Sequence, residues 1–445
     1  MTGGIQRKPN RILRWAKEGS WLVIGQMITV LGSLVLVRVV TEHLEPTEYG
    51  QLALGLTLVG LVKQVAIGGI LNGIGRYYSI ASEKNELSAY AAAVWRLVNW
   101  AALAVAAAGI IVIICLRVTG ESRWSALIAS AMVFALISSY NAAFSAMQNA
   151  ARQRRVVTLH GGLDVLLKIP LALGLLFRLG NSGAVVVTGY ALSSLLVVVS
   201  QWCFLRRLIP RTGSDLAARR SWFRQLWSFS LPFMSWGVFT WVQTSSDRWF
   251  LGAFAQITDV GLYAVLLQLG YAPVAVITAV MVDFISPVLY QHSGDASDGE
   301  RNHTVHRLVW RITSLCLILT LLLSLFTLGL HEVIFRYLVA VHYRQASYLL
   351  PWLVLAGGLY ATGQVLSLKL LSELRSHSLI RVKITTALLG IGLNCAGARM
   401  AGLQGIVAAT VAFGVTYLVW MMVLTARSPR EPSTGCHESQ SSDFI

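Results

Sequence analysis

Long apolar stretches dominate this 445-residue chain and constrain its fold more than any other feature. Each is about 20 residues long or longer, the length that an α-helix needs to cross a bilayer. Backbone polar groups inside lipid must be paired within a helix or a closed barrel, and these stretches are too long for barrel strands. The sequence therefore predicts an all-α membrane protein. We predict twelve transmembrane helices, at about residues 19–40, 51–76, 91–116, 124–148, 157–177, 184–205, 227–252, 261–288, 308–330, 348–371, 379–398 and 402–426.

A short acidic turn between the first two stretches has a counterpart in the second half of the chain. Residues 45–54 (EPTEYGQLAL) match residues 256–265 (QITDVGLYAV) in register. Two unrelated loops could also give this similarity, since turns favour Gly, Thr and acidic residues. A duplicated unit explains it together with the equal division of the twelve stretches. Six spans return the chain to the side from which it started, so we predict a parallel repeat about a pseudo-two-fold axis along the membrane normal. The corresponding residues are Thr47 with Thr258, Glu48 with Asp259, Gly50 with Gly261 and Ala53 with Ala264.

Basic residues give the chain a net charge of +16, and their positions indicate orientation rather than nucleic-acid binding. Of the 36 Lys and Arg residues, 25 lie in the N-terminal arm, the tail and one set of alternate loops, whereas 8 lie in the opposite loops and their helix ends. Such a bias is typical of cytoplasmic loops. We therefore predict a multi-pass protein of the inner (cytoplasmic) membrane, with both termini in the cytoplasm, contacts to membrane lipids and no nucleic-acid partner.

Composition divides the chain into five parts. The predicted parts are a basic arm lying on the inner leaflet (1–18), an N-terminal six-helix bundle (19–205), a basic cytoplasmic linker (206–224), a C-terminal six-helix bundle (225–426) and a disordered cytoplasmic tail (427–445). Residues 331–347 are too polar to span, and we expect an outer amphipathic segment there. The five cysteines show no ligand spacing, so neither a metal site nor a disulfide framework is predicted.

Charged side chains inside the predicted spans are the candidate functional residues. Each costs about 2.5–3.5 kcal/mol at the centre of a helix, so such residues usually face a cavity or a partner. Lys63 lies midway along the second span without a partner in its own helix, whereas Asp164 and Lys168 are four residues apart and can pair. The candidates for binding an anionic substrate are Lys63, Arg248, Lys168, Arg96 and Arg38. The candidates for cation coupling or for a structural ion pair are Asp164, Asp247 and Asp283.

Structural roles remain open at the same positions. Arg38 and Arg248 could extend to the outer headgroups, and Arg96 could extend to the inner ones. Asp164 and Lys168 could serve only to hold the first bundle together.

Short motifs flank both acidic turns. In the first half, 38–41 (RVVT) precedes the turn 45–50 (EPTEYG), and the next helix ends in 75–78 (GRYY). In the second half, 230–232 (SLP) opens a helix that closes with 247–252 (DRWFLG). These motifs resemble those of the polysaccharide transporter family, the O-antigen and exopolysaccharide flippases of the multidrug/oligosaccharidyl-lipid/polysaccharide exporter superfamily.

The resemblance implies two six-helix bundles arranged as a V around a central cavity. It also implies movement of an undecaprenyl-diphosphate-linked oligosaccharide from the inner to the outer leaflet by alternating access, with no bond made or broken. The protein would then be no enzyme and would need no cofactor, and its partners would include a polysaccharide polymerase and chain-length machinery.

Three other functions compete with this one. A cation-coupled multidrug exporter of the same superfamily should have more intramembrane carboxylates than bases, which is not the balance here. A lipid II flippase would normally have helices beyond twelve. A membrane glycosyltransferase or polymerase would need a large extramembrane loop, and the longest outer segment has the single acid Glu332. The chain also has no GxxxxGK[ST] phosphate-binding loop, so no nucleotide is expected.

Overall fold

The computed structural model describes residues 11–209, 215–293, 299–372 and 376–426, and these ranges consist of helices joined by short turns. No strand occurs in these ranges. The helices are α1 (Arg11–His43), α2 (Pro46–Leu61), α3 (Gly68–Glu83), α4 (Leu87–Val118), α5 (Ser125–Ala150), α6 (Arg154–Leu179), α7 (Gly183–Leu205), α8 (Leu216–Phe254), α9 (Ile257–Leu266), α10 (Ala272–Ser293), α11 (Gly299–Leu338), α12 (Leu350–Ser372) and α13 (Ser376–Ala426).

Two π-helical segments continue a helix of each half instead of ending it. Val62–Ile67 joins α2 to α3, and Leu267–Tyr271 joins α9 to α10. Each therefore lies inside one predicted span, the second and the eighth. Short 3-10 helices at Ser122–Trp124 and Val341–Leu349 precede α5 and α12.

Nine stretches of the described chain are long and apolar enough to cross a membrane. The predicted fifth and seventh spans fall on α6 and α8, which form as helices but are not among the nine. The last two predicted spans are merged in α13, whose backbone leaves the helical conformation at Ala401 and Gly402. The expectation of twelve crossings therefore stays a prediction, although each predicted span coincides with a helix or with half of α13.

Some predicted boundaries differ from the structure. Helix α1 begins at Arg11 and continues without a break, so the described part of the basic arm is not a separate element. Helix α8 begins at Leu216, inside the predicted linker. The outer segment predicted at 331–347 is divided between the end of α11 and the 3-10 helix Val341–Leu349. Residues 1–10, part of the linker (210–214) and the tail (427–445) lie outside the described residues.

Helices pack closely within each half of the chain. In the first half α7 packs against α5 and α6, and α6 packs against α1. In the second half α12 contacts α10, α11 and α13, and α13 also contacts α8. The largest buried apolar cluster includes Leu52 and Phe134 from the first half and Tyr263 and Leu353 from the second. The two halves therefore share one core.

The two acidic turns pack directly against each other. The hydroxyl oxygens of Thr47 and Thr258 are 2.9 Å apart. A Cβ atom on Gly50 would overlap the Ile257 carbonyl oxygen, and one on Gly261 would overlap the Pro46 carbonyl oxygen. We call this contact the turn seam, formed by Thr47, Gly50, Thr258 and Gly261. Residues that the predicted repeat makes equivalent meet here, as they would in a two-fold contact.

A second contact between the halves involves the other end of the continuous element formed by α2, the π segment and α3. Helices α3 and α4 pack against α8. The Trp222 indole N–H donates to Glu86 Oε2 over 2.8 Å, and a Cβ atom on Gly69 would overlap the Ser230 carbonyl oxygen. Small residues permit this close approach between helices in lipid.

Candidate functional site

Two lysines from different elements meet at one aromatic ring in the first half. Lys63 lies in the π segment, and its Nζ is 5.8 Å from the centre of the Phe134 ring on α5. Lys168 Nζ, on α6, is 5.5 Å from the same ring and 5.7 Å from the Tyr190 ring on α7. Aromatic faces attract cations, so these rings lower the cost of placing two positive charges together. We call Lys63, Phe134, Asp164, Lys168 and Tyr190 the lysine cluster.

Asp164 forms an ion pair with Lys168 inside this cluster. Lys168 Nζ is 2.6 Å from Asp164 Oδ2, and the two side chains are only 17% and 14% exposed. The Ser194 hydroxyl donates to Asp164 Oδ1 over 2.8 Å, and the Ser193 hydroxyl donates to the Asp164 carbonyl over 2.8 Å. A buried pair needs such additional hydrogen bonds to offset its desolvation. The two serines of α7 are site residues that the sequence analysis missed.

Lys63 differs from Lys168 in having no carboxylate partner. Its side chain is exposed, and within the described ranges no acidic group lies within ion-pair distance of its Nζ. The π turn widens the helix where this lysine projects, and such turns occur frequently at functional sites. The lysine cluster therefore has two ammonium groups for one carboxylate, which leaves it with an excess of positive charge.

Asp247 and Arg248 lie in a separate network in the second half. Arg248 Nε is 3.3 Å from Asp247 Oδ1, and the Tyr263 hydroxyl donates to Asp247 Oδ2 over 3.0 Å. The same tyrosine hydroxyl is 3.1 Å from the Thr410 hydroxyl on α13. This network joins α8, α9 and α13 and balances one acid with one base.

Arg38 lies at the interface between the halves, away from both networks. Its Nη1 donates to the Val339 carbonyl over 2.9 Å, and its Nη2 is 3.8 Å from Glu42 Oε2. Nearby, the Tyr343 hydroxyl donates to the Leu44 carbonyl over 2.8 Å. The guanidinium therefore ties α1 to the segment that follows α11.

Arg96 also lies apart from the lysine cluster. Its guanidinium carbon is 5.2 Å from the centre of the Phe223 ring, and it lines a cavity together with Arg219 and Arg220 of α8. Both arginines lie in the predicted linker 206–224, and no local sequence signal relates them to Arg96.

One candidate cannot be placed and one buried charge was not recognised. The side chain of Asp283, on α10, lies outside the described part of the structure. Lys369 on α12 is only 1% exposed, and its Nζ donates to the Thr425 carbonyl over 2.9 Å. It lies near the end of a predicted span and was counted with a basic inner loop, although its apolar neighbours signal burial. Within the described ranges, no group of three or more His, Cys, Asp or Glu residues could hold a metal ion.

Solved structures of membrane transporters share this fold. The chain is 13% identical to a lipid II flippase, MurJ, in an inward closed conformation, with a TM-score of 0.67, over 93% of this chain and 88% of that one. It is 14% identical to an inward-facing multidrug resistance MATE family transporter of the MOP superfamily, with a TM-score of 0.63, over 92% and 96% of the two chains. It is 15% identical to a Vibrio cholerae MATE transporter, with a TM-score of 0.57, over 93% and 97%. The fold is therefore the one that these transporters share.

The family follows from the sequence itself. A family profile described as polysaccharide biosynthesis protein matches residues 15–293, more than half of the chain. The chain belongs to this family, and the resemblance predicted from the motifs around the two turns is confirmed. No curated protein sequence matches the chain at a significant level.

Proposed function

We propose that this protein is a flippase that moves an undecaprenyl-diphosphate-linked oligosaccharide from the inner to the outer leaflet of the cell inner membrane. It would serve O-antigen or exopolysaccharide biosynthesis, beside a polymerase and chain-length machinery. Its twelve helices would form two six-helix bundles in a V around a central cavity, with both termini in the cytoplasm. The family assignment and the fold shared with a lipid II flippase support this proposal.

The lysine cluster is the observation that carries the proposal. It lies midway along the apolar stretch Pro46–Glu83, where an uncompensated charge is costly. Charged residues inside a membrane are usually functional. The diphosphate headgroup is the anionic part of the proposed substrate, so it is the part that a lysine would bind. The ammonium of Lys63, which has no carboxylate partner in the described ranges, is available to the phosphate, whereas Lys168 is held by Asp164.

A change of partner at the Asp164–Lys168 pair would couple substrate binding to the uptake of a cation by Asp164. When the diphosphate enters, Lys168 can replace its carboxylate partner with a phosphate oxygen. Protonation of Asp164 favours this exchange because it removes the competing negative charge, and the Ser194 hydroxyl can still hydrogen-bond the neutral acid. On this proposal Asp164 is the coupling residue.

The membrane potential would also drive transport. Each elementary charge that crosses the membrane contributes about 2.3 kcal/mol per 100 mV. With the interior negative, outward movement of an anionic headgroup is favourable, so the proposal needs no nucleotide.

Alternating access would require the contacts between the halves at the two ends of the α2–α3 element to open in turn, about the contacts that α8 makes with its middle, where the Trp241 indole N–H donates to the Thr57 carbonyl over 2.7 Å. The turn seam lies at the start of α2, whereas the Glu86–Trp222 hydrogen bond lies beyond the end of α3. Because α2, the π segment and α3 form one continuous element, these contacts lie at its opposite ends. Breaking one while keeping the other would open the cavity to one side only.

The test is the Lys63→Ala variant in a strain that lacks the native gene. We expect surface polysaccharide to fall about tenfold and lipid-linked repeat units to accumulate, since a charged hydrogen bond contributes about 1.5–3 kcal/mol. Arg178→Ala is the matched control, because Arg178 is exposed at the end of α6. Normal surface polysaccharide at a normal level of the Lys63→Ala protein would refute the assigned role.

A cation-coupled multidrug exporter is the second candidate function. The similarity to the MATE transporters favours it as much as the similarity to the flippase favours the first. Asp247, with hydrogen bonds from Tyr263, would then be a cation-binding residue beside Asp164. If the protein confers resistance to cationic dyes on a strain without other exporters, and Asp247→Asn abolishes that resistance, the exporter function is supported. If the protein does not change the dye resistance of this strain, the flippase remains as the proposed function.

A further inference from the structure

One cavity is lined by three arginines that the proposed translocation does not use. Arg96 comes from α4, whereas Arg219 and Arg220 come from the first turn and a half of α8. Ala92, Ala93 and Leu216 complete the lining, so no described lining residue is acidic. A cavity lined by three guanidinium groups from two helices could bind an anion that has several oxygen atoms.

The guanidinium of Arg96 is held in a defined orientation. It lies over the Phe223 ring, with its carbon 5.2 Å from the ring centre, so the ring restricts its movement. A planar guanidinium binds phosphate oxygens in pairs, which a lysine cannot do. The nearby carboxylate of Asp215 accepts from the Ala217 backbone N–H over 3.2 Å and so caps α8.

An exposed apolar track leads away from the cavity along α4. Trp100 is 60% exposed and Leu103 is 69% exposed, and they follow Arg96 by four and seven residues. Residues at this spacing share one face of a helix. A ligand with a charged head at Arg96 and an apolar chain would therefore lie along Trp100 and Leu103, which excludes a small soluble anion as the natural fit.

The second half has a basic surface at the corresponding position. The 211-residue offset between Thr47 and Thr258 also relates Arg96 to Arg307. Arg307 and Arg311 line a groove on α11. The repeat thus places an arginine beside a concave surface twice.

We propose that the cavity formed by Arg96, Arg219 and Arg220 binds the phosphate headgroup of an anionic phospholipid, with an acyl chain along Trp100 and Leu103. The site is separate from the lysine cluster and does not depend on the flippase proposal. It joins α4 of the first half to α8 of the second, so a bound lipid would stabilise the contact between the halves at this end.

The experiment measures binding of dioleoyl phosphatidylglycerol to the purified full chain by native mass spectrometry in detergent. The variants are Arg96→Gln and the double variant Arg219→Gln/Arg220→Gln. Arg117→Gln, at the other end of α4, is the control because it removes the same charge from an exposed position. We expect affinity to fall about fivefold for each arginine removed, which corresponds to about 1 kcal/mol, and to be unchanged in the control.

Two further measurements keep the proposal open to refutation. Photoreactive phosphatidylglycerol should label peptides of α4 and of the start of α8 in the unmodified protein. This measurement does not depend on the folding of any variant. Lys63→Ala should bind phosphatidylglycerol normally, so the flippase proposal can fail without this one failing. Equal phosphatidylglycerol affinity in all variants, or labelling of peptides outside α4 and the start of α8, would overturn the assignment.

Discussion

The Phe134 ring lies close to two positive charges, the ammonium groups of Lys63 and Lys168, and is therefore central to the candidate site. We expect Phe134→Leu to lower transport about three- to tenfold, because cation–π contacts contribute about 0.5–2 kcal/mol each. Phe134→Tyr should retain activity because it retains the ring. Transport would be measured as surface polysaccharide at equal protein level. Equal loss in both variants would show that side-chain volume, and not the aromatic face, is what matters.

The Asp164–Lys168 pair should behave as a coupled unit. Removing one partner of a buried pair leaves the other charge uncompensated and costs roughly 3–5 kcal/mol. Asp164→Asn should therefore lower the thermal unfolding temperature in detergent more than the double variant Asp164→Asn/Lys168→Gln does.

The charge-swapped variant Asp164→Lys/Lys168→Asp gives an independent check on this coupling. It should recover part of what either single charge reversal loses, since an ion pair can form again. A double variant no better than either single one would argue against direct pairing.

Sequence reasoning succeeds at the residue scale only where the partners are local. The pairing of Asp164 with Lys168 follows from their spacing on one helix. The approach of Lys63 to Phe134 does not, because the two positions are 71 residues apart and nothing local relates them. Arg38 shows the same limit, since its acceptor is a backbone carbonyl at Val339, whose position depends on the whole fold.

At the scale of elements, α3 depends on small residues where it meets α8. A methyl group on Gly69 would overlap the Ser230 carbonyl oxygen, whereas one on Gly75 would have no atom within 4 Å. We expect Gly69→Ala to cost about 1–3 kcal/mol and to lower the unfolding temperature. Gly75→Ala should be neutral or stabilise by up to about 1 kcal/mol, because alanine is the better helix former. Unfolding in detergent compares the two; equal temperatures would mean that α3 and α8 are not in close contact.

The helices could be predicted from sequence, but their interruptions could not. Hydropathy locates helices because lipid leaves the backbone no other way to pair its polar groups. The π segments Val62–Ile67 and Leu267–Tyr271 escape this reasoning, since one extra residue in a turn changes neither composition nor length noticeably. The kink at Ala401 and Gly402 was anticipated as a boundary between two spans, because the predicted spans 379–398 and 402–426 meet there.

At the scale of the whole molecule, the turn seam should limit how the halves move. The hydroxyl oxygens of Thr47 and Thr258 are 2.9 Å apart, so cysteines at these positions are within reach of a disulfide. In a background with the five native cysteines replaced, oxidised Thr47→Cys/Thr258→Cys should lose transport at least tenfold and recover it with dithiothreitol.

Each single-cysteine variant is the control and should transport equally with and without oxidant. Full transport by the fully crosslinked protein would mean that the seam stays closed throughout the cycle. The proposal that the turn seam opens during alternating access would then be wrong.

The turn seam also bears on how such a chain could have originated. Gly50 leaves no room for a side chain because of the Ile257 carbonyl oxygen, and Gly261 leaves none because of the Pro46 carbonyl oxygen. A half-length ancestor would have met a second copy of itself here as a homodimer, with one glycine filling both places. Fusion of two copies would have freed the two positions to diverge, yet neither can gain a side chain while the opposite turn keeps the same approach. Family members that carry a larger residue at one position should therefore show a displaced turn at the other.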